Sequence, residues 1–250
     1  MFAENFLRKY RSRNSVIFLS YPKSGRTWMK YILKSTGLKI KYTHAGHGTA
    51  NKLEIGSEFV EINTKYFGSK NIFMHRNPLD TAVSLFFQIH KKDFVEDSAD
   101  YANKFQKLSE LDRLPPSIID DFVTHPIWGV ENICRFNRGW IDYFRIKNNT
   151  LVVSYEDMSY STEETINRVM EFLNVHDQDP YDLALKSSFE NMKAAELSGK
   201  GRELGLHGIN GSDSESMKVR KGKIRGYVNY IDSSTIEKSR IIADEYKFQI

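Results

Sequence analysis

The chain has 250 residues, 40% of them hydrophobic and 27% charged, enough apolar content to bury the core of one globular domain and too much for a disordered or collagen-like chain. Thirty-six Lys and Arg against thirty-two Asp and Glu leave a formal charge of +4, well short of the excess carried by proteins that hold nucleic acid through backbone charge. The single cysteine, Cys134, excludes an internal disulfide and a thiolate-built zinc site, and it suits a reducing compartment.

In chain order, Arg8, Lys9, Arg11 and Arg13 precede an apolar run that reaches only from Val16 to Leu19. That run is too short for a signal-peptide core, and no stretch has the length of a membrane span, so a cytoplasmic protein with no membrane partner is expected. The β-branched, apolar segment from Ser15 to Ser20 reads as a buried strand of a parallel sheet. After Tyr21-Pro22-Lys23-Ser24-Gly25, the residues Thr27, Trp28, Tyr31, Ile32 and Leu33 recur at helical spacing. A second strand is expected over Asn71 to His75, followed by a helix from Pro78 to about Lys91, and a third over Thr150 to Ser154, followed by a helix from Thr162 to Leu173. Residues 93 to 125 read as polar helices and loops, and Ile127, Val130, Ile133, Phe136, Trp140 and Phe144 mark a core helix over 127 to 145. Strands alternating with helices imply a single α/β domain over residues 1–250, three layers α/β/α around a mostly parallel sheet, with ligands at the carboxyl ends of the strands. Residues 196–226 hold seven glycines and seven Lys or Arg with little apolar periodicity, and are expected to form a mobile loop, a lid within that domain.

The turn between the first strand and its helix carries the chemistry. Gly25 frees the backbone where a helix begins, so exposed N–H groups and the helix dipole stabilise an anion there. Lys23 adds a full charge, and Ser24 and Thr27 add hydroxyls. The Walker pattern Gly-x-x-x-x-Gly-Lys-Ser/Thr is absent, which disfavours an ordinary nucleoside triphosphatase and a small-molecule P-loop kinase.

The segment Tyr21-Pro22-Lys23-Ser24-Gly25-Arg26-Thr27-Trp28 resembles, at seven of eight positions, the Tyr-Pro-Lys-Ser-Gly-Thr-Thr-Trp loop of sulfotransferases that use 3′-phosphoadenosine 5′-phosphosulfate (PAPS). Arg76-Asn77-Pro78-Leu79-Asp80-Thr81-Ala82-Val83-Ser84 is similar to that family's 3′-phosphate segment, which assigns Arg76 and Ser84 to the phosphate. Tyr155-Glu156-Asp157-Met158 resembles the element whose Tyr contacts the adenine, and the segment from Ser187 to Met192 resembles the one whose Phe, here Phe189, stacks on it opposite Trp28. Val219-Arg220-Lys221-Gly222 resembles the Arg-Lys-Gly element that closes over the 3′-phosphate. The resemblance implies a P-loop NTPase-like fold, PAPS as donor, adenosine 3′,5′-bisphosphate (PAP) as product, no metal, and a small-molecule or carbohydrate acceptor. Taken singly, Trp28, Tyr155 and Phe189 read equally as core aromatics, and Arg76 as an ion pair with Asp80 four residues on.

Tyr42-Thr43-His44 resembles the family's Thr-His element, which implies His44 as the base that takes the acceptor's proton, with His47 as the second candidate. Lys23 is expected to neutralise charge on the departing oxygen. A non-catalytic PAP-binding module would need neither group. The chain departs from the family in three places: Arg26 stands where the family has Thr, Arg225-Gly226-Tyr227 replaces a Gly-Asp-Trp, and the Lys-x-x-x-Thr-Val-x-x-x-Glu dimerisation signature is missing, which leaves the oligomeric state open. Phe86, Phe87, Phe94 and Trp128 read either as acceptor-site lining or as core.

Overall fold

The computed structural model describes residues 16–44, 70–90, 106, 108–110, 112–204, 206, 222–248 and 250. Their elements are β1 (Val16–Ser20), α1 (Arg26–Leu33), β2 (Ile40–Thr43), β3 (Lys70–His75), α2 (Pro78–Gln88), α3 (Ile119–Thr124), α4 (Val130–Arg145), β4 (Thr150–Ser154), α5 (Tyr155–Tyr160), α6 (Thr162–Leu173), α7 (Pro180–Lys186), α8 (Phe189–Leu197) and α9 (Ser233–Glu245). No helix among these residues is long and apolar enough to cross a membrane.

The four strands form one parallel sheet in the order β2-β1-β3-β4. The pairing aligns Leu19 with Thr43, Ser20 with Met74 and His75 with Ser154. All four strands therefore end at one edge of the sheet, where Tyr21, His44, Arg76 and Tyr155 begin the next segments. The chain leaves β1 toward β2 and leaves β3 toward β4, so the crevice between the ends of β1 and β3 is the switch point at which α/β sheets hold ligands.

Every residue of β1 is buried, because helices cover both faces. Leu19 and Phe73 join Trp128, Phe136, Trp140 and Phe144 on one face, while Phe18, Ile72, Met74 and Val153 pack with Met29, Ile32 and Ile166 on the other. α2 starts where Pro78 occupies the first turn and the Asn77 side chain accepts from the N–H groups of Leu79 (3.0 Å) and Asp80 (3.2 Å).

The structure refines the sequence reading at five points. β2 was not foreseen: as an edge strand it is half-buried and lysine-interrupted, with only Ile40 and Tyr42 to mark it. The helix expected to reach Lys91 is regular only to Gln88, with a wider turn at 89–90. The core helix starts at Val130 because His125 Nδ1 accepts from the N–H groups of Ile127 (3.1 Å) and Trp128 (3.4 Å), holding 125–128 as a turn. Trp128 is core, fully buried, with its indole N–H donating to Arg113 O (3.1 Å), not acceptor lining. Within the glycine-rich stretch 196–226, α8 runs to Leu197, a short 3₁₀ turn spans Arg202–Leu204 and Leu206 is buried, while 207–221 lies outside the described residues.

His75 closes β3 between the rings of Phe73 (centroids 6.2 Å apart) and Phe248 (6.2 Å). Burial pulls its imidazole down from the usual value to about 4, against an opposing pull from Asp157. The unfolded chain takes up this proton near pH ~6.5 and the folded one does not until about 4, so stability is full above the upper value and falls as pH drops through the window. Urea midpoints are expected to show wild type losing on the order of 2 kcal/mol more than His75→Phe between pH 7 and 5. Parallel pH dependence of the two proteins would refute this.

Candidate active site

The loop after β1 is held by Tyr21, which is buried with its ring edge-on to Phe136 at 5.3 Å, and by a turn in which Ser24 N–H donates to Tyr21 O (3.3 Å). Lys23 at φ 67° and Gly25 at φ 97° both occupy the left-handed region. For Lys23 this conformation is strained by about 1 kcal/mol, of the kind that persists at functional sites. A Cβ on Gly25 would lie 2.7 Å from Met74 Cε and 2.8 Å from Tyr155 Cδ2, so only glycine fits. α1 starts here with no side-chain cap and no acid in its first turn, which leaves its positive end open.

That end opens into a cavity of about 840 Å³. Its walls include Lys23, Gly25, Thr27, Trp28, His44, Arg76, Ser84, Tyr155, Phe189 and Gly222, bringing together ten of the residues assigned from sequence. Ser24 lies beneath the wall, fully buried. Arg220, Lys221 and His47 lie outside the described residues, as does Phe94.

Arg76, at the end of β3, is buried and donates from Nη1 to Lys23 O and from Nη2 to Lys223 O, both at 3.3 Å. Its guanidinium lies 4.1 Å from the centroid of the Tyr155 ring. The Asp80 pairing read from sequence exists only at 4.0 Å. The stronger partners of Asp80 are the N–H groups of Arg225 (2.8 Å to Oδ2) and Tyr227 (3.1 Å to Oδ1). Asp80 thus ties the segment after Gly222 to α2, a role hidden from the sequence because its partners lie 145 and 147 residues away. This segment departs from the family's Gly-Asp-Trp, and it is anchored by Tyr227 buried in the core. Glu156 accepts from Asn77 N–H (2.9 Å), and burial raises its carboxyl above the ordinary range.

Trp28 meets the same Tyr155 ring edge-on at 5.6 Å. Gly222, at φ 61°, lies flat on Phe189, where a Cβ would come within 2.6 Å of Cδ2. Burial raises the Tyr155 phenol above its usual value, with Arg76 opposing. His44 follows β2 directly, and its Nδ1 is 2.6 Å from Ser20 O. A carbonyl only accepts, so Nδ1 carries the proton and Nε2 the lone pair.

Ser24 Oγ, Trp28 Nε1 and Arg76 Nε are buried without a hydrogen-bond partner among the described residues. Buried donors are rarely left so, and all three belong to the phosphate loop, its helix or the strand end facing them. They suit an anionic ligand rich in acceptor oxygens. Among the described residues no group of three or more His, Cys, Asp or Glu is placed to hold a metal ion. Cys134 is buried, and burial pushes its thiol well above the usual range. Sequence reasoning also missed Tyr181, Leu185 and Met192 on the aromatic side of the cavity, and Gln88 and Tyr230 further along. The one periodic signal for Gln88 was its place four residues after Ser84.

Sheet, uncapped helix and cation-and-aromatic cavity define an α/β protein built to hold a phosphorylated ligand with a planar base. Residues 58–247 match the family described as the sulfotransferase domain, and the chain belongs to that family, the PAPS-dependent class its motifs resemble. It is 24% identical to sulfotransferase 2A1 of Macaca fascicularis over 94% of this chain and 87% of that one. Its fold is similar to that of a mouse sulfotransferase, SULT7A1, solved with PAP (TM-score 0.58, 20% identity, 94% of this chain and 84% of that one). It is also similar to a retinol dehydratase solved with androsterone and PAP (TM-score 0.64, 13% identity, 95% and 83%).

Two substitutions test the scaffold by urea denaturation. Gly25→Ala is expected to cost about 2 kcal/mol through its contacts and its left-handed backbone. Asp80→Ala, which strips the buried Tyr227 N–H, the part-buried Arg225 N–H and a neighbouring guanidinium of their acceptor, is expected to cost about 3 kcal/mol. A loss under about 0.5 kcal/mol at either position would contradict the geometry.

Proposed function

We propose that the protein transfers the sulfuryl group of PAPS to a hydroxyl of a small-molecule acceptor and releases PAP, with His44 as general base and Lys23 as the cation at the leaving oxygen. One observation carries this reading: Lys23, His44 and Arg76 line a single cavity at the switch point of the sheet, although they come from three different strand ends.

Lys23, the Ser24 hydroxyl, Thr27 and the N–H groups at the start of α1 hold the 5′-phosphosulfate, a set of donors that needs no metal. Arg76 and Ser84 take the 3′-phosphate, and Arg220 and Lys221 join them by their likeness to the family's closing element. Trp28, Tyr155 and Phe189 receive the adenine, with Gly222 lying against Phe189. PAPS supplies a sulfur already bonded to a good leaving group. The acceptor oxygen attacks that sulfur in line as the bond to the phosphate oxygen breaks, and its proton passes to Nε2 of His44. The Ser20 carbonyl fixes the ring for this by holding Nδ1–H. Lys23 offsets the charge that develops on PAP, and binding the donor in one geometry is the other large part of the rate. The androsterone bound to the similar retinol dehydratase supports an acceptor of small-molecule size.

Calorimetry with PAP and turnover of labelled PAPS across a panel of hydroxyl acceptors test the reading. Wild type is expected to bind PAP and to remain active in EDTA. His44→Ala is expected to lose about 10²–10⁴-fold in kcat with PAP affinity within about threefold of wild type, and Lys23→Met to lose about 10²–10³-fold in kcat. Near-normal turnover by His44→Ala with an inactive His47→Ala would move the base to His47, and absence of PAP binding at millimolar concentration would defeat the whole reading.

A further inference from the structure

Arg26 is the departure from the family's loop to which the proposed nucleotide site gives no role. The two flanks of α1 face opposite edges of the sheet. Trp28 meets Tyr155, which follows β4. Lys30 holds its ammonium 6.0 Å from the centroid of Tyr42, on β2. Arg26 lies four residues before Lys30 and two before Trp28, hence on the Lys30 flank and about 200° around the helix from Trp28. In agreement, Tyr42 is the titratable group that acts electrostatically on Arg26.

Strand order turns this into a separation. In β2-β1-β3-β4, the edge strands are three spacings apart, about 14 Å. Arg76, Ser84, Tyr155 and Phe189 belong to the β3–β4 half, the phosphate loop follows β1, and His44 follows β2. Arg26 therefore stands beyond the loop, on the side of the proposed base. It lines the cavity, is half-buried, and among the described residues makes no hydrogen bond or ion pair. A guanidinium stays charged and offers a planar fork of donors, the shape that matches a carboxylate or another oxyanion two bonds at a time.

We propose that Arg26 selects the acceptor: the molecule that presents its hydroxyl to His44 also carries an oxyanion, and Arg26 binds it. This rests on the sulfotransferase reading above. The donor's phosphosulfate offers the same chemistry, and the test separates the two sources.

Wild type, Arg26→Thr and Arg26→Lys are compared in two measurements. The first is the Kd for PAP by calorimetry. The second is the thermal shift of each PAP-saturated protein on adding 4-hydroxybenzoate or its uncharged counterpart, 4-hydroxybenzyl alcohol. The expected result is a PAP Kd within about twofold across the three proteins, with a larger shift by the acid than by the alcohol in wild type. That difference is lost in Arg26→Thr and partly kept in Arg26→Lys. A loss of about tenfold or more in PAP affinity in Arg26→Thr assigns the guanidinium to the donor and overturns the proposal. Equal wild-type responses to acid and alcohol, including none to either, also overturn it while leaving the donor reading intact. Failure of wild type to bind PAP removes that reading and this one together.

Discussion

Three distant parts of the chain meet on the guanidinium of Arg76. Lys23 from the phosphate loop and Lys223 from the returning segment each give it a carbonyl at 3.3 Å, the Tyr155 ring lies beneath it, and Asp80 approaches to 4.0 Å. A planar, delocalised cation with five N–H groups can serve both carbonyls, stack on a ring and still hold Nε in hand, whereas an ammonium could not. The loop, the strand end and the segment after Gly222 are thus registered to one charge. A ligand that pairs with Arg76 would be felt by all three.

The second constraint is the sheet's parallel register. Because the strands end together, the loop after β1, His44 and Arg76 appear at one edge without any of them having to reach. The change of direction between β1 and β3 opens the crevice there, and α1 arrives with its first turn uncapped. The left-handed backbone at Lys23 and Gly25 is the local consequence, since the chain must turn from a buried strand to a helix within five residues. Asp80 completes the arrangement by holding the N–H groups of Arg225 and Tyr227, so the segment that brings Gly222 onto Phe189 is tied to the same helix as Ser84.

Much of this was legible in the sequence where the signal is local. β1, β3 and β4 are continuous apolar runs because helices cover both of their faces, and α6 falls where its periodicity placed it, over Thr162–Leu173. β2 was not legible, because an edge strand shared with lysines carries half the apolar signal. The start of α4 was missed because Ile127 continues the helical spacing while the backbone around it is claimed by His125. Trp128 shows the same limit for side chains: an aromatic residue near a site and one in the core have the same letter, and only packing separates them.

By itself the sequence determined the class of fold and the chemistry of the ligand, because strand, glycine turn and helix follow within about a dozen residues and the phosphate-binding residue types lie in short contiguous motifs. Which residues share a wall was decided only by tertiary structure. The sheet order puts Tyr42, the neighbour of Arg26, and Tyr155, the neighbour of Trp28, at opposite edges, and the return of the chain past residue 222 gives Asp80 partners that no local spacing encodes. Contacts of that range depend on where the chain comes back to, and short-range periodicity carries no record of it.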